Sequence, residues 1–196
     1  KDAKKQMESA YFLSINRNKK SVEIDLTKKE GQSLTKKLIK KCDILVENFR
    51  AGNLKQYSLD YASIKKIKPD IIYCSITGFG QNGPYSKRGG YDYLVQAMGG
   101  IMSITGEKKG NPTKIGVGVS DIITGLYASV GILSALRFRE KTGKGQHLDI
   151  SLMDSQVSWL SYVAQSYLIS GKIPKRIGND HPSIVPYQTV KAKKEL

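Results

Sequence analysis

The chain has 196 residues, of which 39% are hydrophobic and 25% are charged, close to the average of globular proteins. This composition excludes an intrinsically disordered chain and is enough for one domain with a sizeable core. Lys and Arg number 32 against 17 Asp and Glu, which gives a formal net charge of +15. The excess indicates a polyanionic partner, such as nucleic acid, an anionic membrane or a phosphorylated cofactor, unless the lysines only keep the surface solvated.

The first third of the chain alternates strand and helix patterns. Apolar and polar residues alternate over 21–26, and Thr27 with Glu30 forms a capping box for the helix that follows. We expect strands at 21–26, 43–47 and from 71, with helices at 27–42 and 59–67. This order predicts the α/β class, with an open parallel sheet and crossover helices in a Rossmann-like arrangement.

The second half predicts one more strand between helices. Apolar residues recur at intervals of three and four after Ser120, which caps the helix, and the helix ends before Gly143. We expect helices at 91–98, 120–142 and 154–169 and a strand at 146–151. On the last helix the spacing predicts core positions for Trp159, Tyr162, Tyr167 and Leu168.

The strand that begins at Ile71 leads into a glycine loop with the spacing Gly-x-Gly-x-x-Gly, formed by Gly78, Gly80 and Gly83. Such a loop lets a ligand approach the backbone closely. A dinucleotide site also needs the third glycine to open a helix, whereas here Pro84 follows at once and no helical apolar pattern comes after it. The loop therefore predicts a ligand site at the end of a strand and disfavours a nicotinamide dinucleotide.

Two places could carry chemistry. Asp121 begins the long helix directly after residues 116–120, where unpaired amides and the helix dipole stabilise an ionised carboxylate by about 0.3–1 kcal/mol. On position alone this aspartate is either an ordinary helix cap or a reactive group. The turn at 48–50, Asn-Phe-Arg, follows a strand and offers an amide, an aromatic face and a guanidinium, which suit an adenine nucleotide.

Other chemistry is disfavoured by the residue inventory. Cys42 and Cys74 form neither a disulfide framework nor a zinc motif, so a reducing compartment such as the cytoplasm is expected, and Cys74 within an apolar strand reads as an inert thiol. His147 and His181 lack companions at ligand spacing, which predicts no metal site. No apolar run approaches the roughly 18 residues of a membrane span, and no signal segment is recognisable near Lys1.

Four blocks, taken in order, resemble the class III coenzyme A transferases, the CaiB/BaiF family: residues 11–21, 46–52, 71–84 with 90–92, and 139–146. The resemblance covers nearly all of the chain. It implies that residues 1–175 are part of the family's large CoA-binding α/β domain and that residues 176–196 begin a linker toward a small domain. The family's first strand and helix and its C-terminal domain have no counterpart here, and full-length members form interlocked homodimers.

The resemblance also implies the roles of individual residues. The family's nucleophilic aspartate falls on Asp121, which would exchange thioesters through an aspartyl anhydride and an aspartyl-CoA thioester. Coenzyme A would be a substrate and not a tightly bound cofactor. Its contacts would be Ile24, Asp25, Leu26, Thr27, Asn48, Phe49, Arg50, Gly89, Gly90, Tyr91 and Asp92. Backbone amides of Gly78, Gly80, Gly116 and Gly118 would stabilise the oxyanion, and Gln56 stands where the family has a basic residue.

Within the family the chain most resembles mitochondrial members that move coenzyme A from succinyl-CoA to glutarate. This implies an acyl-CoA donor such as succinyl-CoA, a small carboxylic or dicarboxylic acid acceptor such as glutarate, and a mitochondrial location, with weak or no transfer by these residues alone. Racemases of the same fold carry a histidine where this chain has Tyr91, which favours transfer. A basic nucleic-acid-binding module is the competing class, and it requires exposed aromatics among basic residues. We expect most tyrosines in loops or the core, and neither a nucleic-acid nor a membrane partner.

Overall fold

The structure is a computed structural model that describes residues 8–192. The predictions for the lysine-rich ends, at 1–7 and 193–196, lie outside these residues. The helices are α1 (Ala10–Ile15), α2 (Lys29–Lys40), α3 (Tyr61–Ile67), α4 (Asp92–Met98), α5 (Ile101–Ile104), α6 (Val119–Thr142), α7 (Leu152–Ser158) and α8 (Ser161–Ser170). The strands are β1 (Ile44–Glu47), β2 (Ile72–Thr77) and β3 (Gln146–Ser151), and a 3-10 helix spans Asn53–Tyr57.

The three strands form one parallel sheet in the order β1-β2-β3. Ile44 lies opposite Ile72, and Tyr73 lies opposite His147. Helix α3 connects β1 to β2, and the segment containing α4, α5 and α6 connects β2 to β3. The predicted α/β class, with a parallel sheet and crossover helices, is therefore confirmed, and so are the three strands near the predicted positions.

The two faces of the sheet pack against different layers. Helix α6 covers the face that carries Leu148, because a Cβ atom on Gly131 would lie 3.6 Å from Leu148 Cδ1. The opposite face carries Tyr73, whose hydroxyl donates to the carbonyl of Leu59 at 2.8 Å. Tyr73 belongs to a buried apolar cluster under α2, the 3-10 helix and α3, whose other members are Ile39, Leu54, Leu59, Ile64 and Ile71.

The predicted strand at 21–26 and its capping box are wrong. Among the described residues no strand lies there, since Asp25 folds the chain into a turn by accepting hydrogen bonds from the backbone N–H of Thr27 at 2.9 Å and from its hydroxyl at 2.6 Å. Thr27 is thereby unable to cap α2, whose N-cap is Lys28 without a side-chain hydrogen bond. Of the apolar residues in this pattern, Leu26 packs against the apolar cluster without pairing to a strand, whereas Val22 is exposed.

The predicted single helix over 154–169 is also wrong. It is divided into α7 and α8, and Ser161 at the junction has a φ of 47°, which breaks the helical path. Four residues predicted as core are exposed: Trp159, Tyr162, Tyr167 and Leu168. Helix α8 is apolar on several sides, so sequence spacing alone could not identify the side that packs.

Helix α6 is long and apolar enough, by length and composition, to cross a membrane, contrary to the sequence-based expectation. This is a weak indication, because the core helix of a water-soluble domain passes the same test. Helix α6 packs against β2, β3, α4 and α7, and it buries Ile123, Ala128 and Ala135. Its other large apolar side chains stay exposed, among them Ile122, Leu126, Val130 and Leu133.

Candidate active site

The loops that follow β1 and β2 meet at the carboxyl edge of the sheet. The side-chain amide of Asn48 donates to the carbonyl of Ile76 at 2.5 Å, which ties the end of β1 to β2. The carboxylate of Glu47 accepts the backbone N–H of Phe49 at 2.8 Å. These two bonds hold the turn that contains Arg50 against the loop after β2, at the edge where open parallel sheets bind ligands.

A pocket of about 160 Å³ lies between these loops. It is lined by Asn48, Phe49, Arg50, Ala51, Thr77, Gly78, Arg88, Gly89, Gly90 and Tyr91. Six of the residues predicted to contact coenzyme A are thus brought together: Asn48, Phe49, Arg50, Gly89, Gly90 and Tyr91.

Two guanidinium groups give the pocket a positive character. The guanidinium of Arg50 lies beside Gly89, because a Cβ atom on Gly89 would be 3.7 Å from Arg50 Nη2. Arg88 lies over the ring of Tyr85 at 4.2 Å from its centroid. The sequence-based set did not include Arg88, although its place between the glycine loop and Gly90 could have indicated it.

The segment Ile24, Asp25, Leu26 and Thr27 is not part of the lining of this pocket. Leu26 packs against the apolar cluster, and its carbonyl accepts a hydrogen bond from Gln32. Asp25 lies 3.6 Å from the ammonium of Lys28 in an exposed ion pair. The structure therefore does not place this segment in the pocket with the other predicted contacts.

Asp92 caps helix α6 from a distant part of the chain. Its Oδ1 accepts the backbone N–H of Ser120 at 2.7 Å and, at a longer 3.4 Å, that of Asp121. Its Oδ2 accepts from Gln96 Nε2 at 2.7 Å. The prediction that Ser120 caps the helix is wrong, since Ser120 lies inside it and the N-cap is Gly118, which has no side-chain hydrogen bond of its own. The cap comes from tertiary structure, which local patterns do not reveal.

Asp121 is placed differently from its neighbour Asp92. It is solvent-accessible, and no side-chain or backbone donor within residues 8–192 hydrogen-bonds its carboxylate. A Cβ atom on Gly118 would lie 3.7 Å from Asp121 Oδ2 and 3.6 Å from Asp92 Cγ, so both acids border the same glycine. The ordinary capping role, which the sequence left open for Asp121, is filled by Asp92.

The surroundings of Asp121 disfavour its charge. Partial burial, in the first place, and the negative charge of Asp92, in the second, raise the pKa of the Asp121 carboxyl above its ordinary value. The sequence-based expectation considered only the helix start, whereas burial and the like charge of Asp92 act in the opposite direction.

One of the four glycine amides that were expected to stabilise an oxyanion, that of Gly80, has another partner. The backbone N–H of Gly80 donates to Thr77 Oγ1 at 2.9 Å and is not available for an oxyanion. Gly78 lies against Gly90, where a Cβ on Gly78 would come within 2.6 Å of Gly90 Cα.

A second pocket, of about 290 Å³, opens on the Tyr73 face of the sheet beside β1 and β3. His147 lies in its wall, with its Nε2 2.9 Å from Ser75 Oγ and its ring stacked on Tyr61 at 4.7 Å between centroids. Burial lowers the pKa of His147, although the charges of Asp149 and Glu47 oppose this effect. The two-residue period of β3 places His147, Asp149 and Ser151 on one face, a signal that the sequence contained.

Other ionisable groups carry no evident chemistry. Cys74 is fully buried, and burial is the main reason that its pKa is raised to about 11, which confirms the prediction of an inert thiol. Cys42 is exposed and free. Among residues 8–192 no three His, Cys, Asp or Glu side chains converge as metal ligands.

The parallel sheet with a loop cluster at its carboxyl edge defines an open-sheet α/β domain of the ligand-binding kind. The chain belongs to CoA-transferase family III, whose family model matches residues 1–196. It is 48% identical over 184 residues to a succinate–glutarate CoA-transferase of Agrobacterium fabrum, covering 94% of this chain and 46% of that protein. It is 50% identical over 186 residues to the succinyl-CoA:glutarate CoA-transferase of Mus musculus, covering 95% and 43%.

A solved structure agrees with this assignment. The crystal structure of a CAIB/BAIF family protein from Brucella suis superimposes with a TM-score of 0.91 at 50% sequence identity, covering 97% of this chain and 50% of that one. The chain thus spans about half the length of the curated relatives and of the structure that it matches.

Proposed function

We propose that this chain supplies the coenzyme A pocket and the nucleophile of an enzyme that transfers coenzyme A from an acyl-CoA to a carboxylic acid. One observation carries the proposal. The Asp121 carboxylate stands at the first turn of α6, accepts no hydrogen bond from the described residues, and shares its glycine border with Asp92. Asp92 in turn directly follows Gly89, Gly90 and Tyr91, which line the arginine-flanked pocket.

In the proposed reaction an Asp121 oxygen attacks the acyl carbon of the donor, the carbon–sulfur bond breaks, and coenzyme A leaves as its thiolate. The thiolate then attacks Asp121 Cγ of the mixed anhydride, which releases the donor acid and leaves an aspartyl-CoA thioester. The acceptor carboxylate attacks the same carbon, the carbon–sulfur bond breaks, and coenzyme A leaves again as its thiolate from a second mixed anhydride. The thiolate then attacks the acyl carbon of the acceptor, which forms the new acyl-CoA and releases the Asp121 carboxylate. Every step exchanges one leaving group for one nucleophile, and no water is consumed.

The raised pKa of Asp121 fits this role. A more basic carboxylate is the better nucleophile, and partial loss of water removes part of the solvation that a free carboxylate must shed before it attacks. The two arginines of the pocket, Arg50 and Arg88, suit the phosphate groups of coenzyme A because guanidinium pairs with phosphate through two hydrogen bonds.

For the substrates we propose succinyl-CoA as donor and glutarate as acceptor. The names of relatives at 48% and 50% identity support this choice. The family resemblance of the sequence blocks supports, as further proposals, a mitochondrial location, an interlocked homodimer for full-length members, and the division into residues 1–175 and a linker from 176. Coenzyme A would enter as a substrate and not as a resident cofactor.

The decisive experiment traps the covalent intermediate. The chain is incubated with succinyl-CoA, treated with hydroxylamine and digested, and the peptides are mapped by mass spectrometry for an aspartyl hydroxamate. We expect the modification at Asp121, release of one succinate for each modified chain, and no modification in Asp121→Asn. Asp154→Asn is the matched control, because Asp154 also lies in the first turn of a helix, and this variant should be modified as the unaltered chain is. Modification at any other aspartate contradicts the proposal.

A nucleic-acid-binding module remains the second candidate, favoured by one observation. Tyr91 and Tyr93 are exposed by 79% and 61%, and Lys87 and Arg88 precede them in the chain, so exposed aromatic and basic residues lie close together in this segment. Titration with a single-stranded oligonucleotide and with coenzyme A, each at two salt concentrations, separates the two. Salt-dependent oligonucleotide binding without coenzyme A binding favours the module.

A further inference from the structure

A network of buried side-chain amides lies beneath the start of helix α6. Gln96 and Gln156 are both fully buried, at 0% exposure, and they approach the same helical turn from two sides. Gln96 Nε2 donates a hydrogen bond to Asp92 Oδ2 at 2.7 Å, whereas Gln156 Oε1 accepts one from the hydroxyl of Ser120 at 2.6 Å. A buried amide is costly unless it is hydrogen-bonded, and the two differ here: both ends of the Gln96 amide have partners, whereas Gln156 Nε2 has none among the described residues.

The orientation of the Gln96 amide is fixed by its partners. Its Oε1 accepts the backbone N–H of Ile115 at 2.9 Å, and a backbone N–H can only donate. Its Nε2 faces the carboxylate of Asp92 at 2.7 Å, which in its ionised form can only accept. Rotation of the amide by 180° would oppose like groups at both ends, so Gln96 has one orientation.

Gln96 thereby determines how Asp92 meets the helix. With Oδ2 held by Gln96, Oδ1 is left facing the N–H groups of Ser120 and Asp121. Three donors from two parts of the chain thus fix the position of one carboxylate. Asp92 is also the charged group that acts on Asp121.

We propose that Gln96 is a positioning residue of the Asp121 site: it fixes the Asp92 carboxylate across the first turn of α6 and so sets the charge that Asp121 faces. The contribution of Gln96 to coenzyme A transfer rests on the function proposed above. The effect of Gln96 on the titration of Asp121 does not. Gln156 serves as the comparison, because it is buried to the same degree, contacts the same turn through Ser120, and makes no hydrogen bond to Asp92.

The test is a titration of Asp121 followed by NMR in the chain labelled with 13C at the aspartate carboxyl groups, with Asp121→Asn to assign the signal. In Gln96→Leu, Asp92 loses the donor that holds its Oδ2 and can rotate about its bond to the Ser120 N–H, so the Asp121 midpoint should fall toward the ordinary value. In Gln156→Leu it should stay within about 0.2 unit of the unaltered chain. Equal midpoints in Gln96→Leu and the unaltered chain overturn the proposal, as do equal shifts in the two variants.

A second measurement covers the case in which Gln96→Leu fails to fold. In the unaltered chain the side-chain NH₂ signals of Gln96 should exchange slowly with solvent and change frequency as Asp121 titrates. Signals that exchange fast or stay constant across that range overturn the proposal. Neither measurement uses an acyl-CoA, so a missing hydroxamate at Asp121 and a missing titration coupling are separate results.

Discussion

Gly78 and Gly90 touch through their backbones. A Cβ atom on Gly78 would lie 2.6 Å from Gly90 Cα, and one on Gly90 would lie 2.5 Å from Gly78 Cα. Neither glycine has a positive φ, so close approach and not backbone conformation requires a residue without a side chain here. The contact joins the end of β2 to the residues just before Asp92, and it therefore couples the shape of the pocket to the cap of α6.

Substitution of either glycine by alanine should separate the two loops. We expect Gly90→Ala to reduce the free energy of unfolding by about 1–3 kcal/mol, the cost of a displaced backbone, and to weaken coenzyme A binding. Urea unfolding and calorimetric titration measure the two effects. Gly125→Ala is the control, because a Cβ there meets open space within α6, and replacing a mid-helix glycine should stabilise by about 0.5–1 kcal/mol. Unchanged stability in Gly90→Ala would contradict the close contact.

Removal of the distant cap should destabilise the long helix. Asp92→Ala deletes the acceptor for the Ser120 N–H, a loss of about 1–2 kcal/mol, and leaves the buried amide of Gln96 without its partner. Urea unfolding should thus show a total loss of at least about 2 kcal/mol. Glu140→Ala, which breaks an exposed ion pair with Arg137, should change the same quantity by less than about 0.5 kcal/mol. Comparable losses in the two variants would argue against the cap.

The carboxylate of Asp121 should cost stability in its charged form. Because its pKa is raised in the folded chain, the group favours folding at pH below its unfolded value, and this contribution is lost as the pH rises through the folded value. Asp121→Asn carries no charge, so its melting temperature should exceed that of the unaltered chain at pH 7, and the difference should shrink toward pH 3. A constant difference across this range would mean that the environment of Asp121 does not oppose its charge.

The sequence predicted the sheet well and the site in part, for identifiable reasons. The strand Ile72–Thr77 is rich in residues that favour strands and is buried along almost its whole length, and the spacing of the glycines indicates a loop where a ligand can approach the backbone. The cap of α6 escaped prediction because Asp92 and Ser120 are 28 positions apart and no local rule pairs them. The direction of the pKa shift of Asp121 was not predicted for the same reason, because it depends on burial and on the charge of Asp92, which is distant in the sequence.

Several apolar side chains that the sequence predicts to be buried face the solvent in this structure. The pattern of Trp159, Tyr162 and Leu168 predicts burial, yet all three are exposed within the described residues. Apolar spacing shows that a surface is suited to packing, but it contains no information on which element covers it. The proposed roles of Asp121 and of the 48–50 turn come from the resemblance to known proteins, because position alone left them open between structure and function.

His147 should make the fold sensitive to acid. Burial lowers the pKa of this histidine in the folded chain, so its neutral form stabilises the fold above the unfolded value of about 6.5, and this contribution is lost as the pH falls through the folded value. Below that point a charged imidazole would sit against the ring of Tyr61 and the hydroxyl of Ser75. His147→Gln stays neutral and keeps a polar partner for Ser75, so the free energy of unfolding should fall less between pH 7 and pH 5 in the variant than in the unaltered chain. Glu47 lines the pocket of about 290 Å³ together with His147, and it also accepts the backbone N–H of Phe49 in the coenzyme A pocket. We therefore expect coenzyme A binding to depend less on acid pH in His147→Gln than in the unaltered chain. If the free energy of unfolding fell equally between pH 7 and pH 5 in the two chains, His147 would titrate in the folded state as it does in the unfolded state.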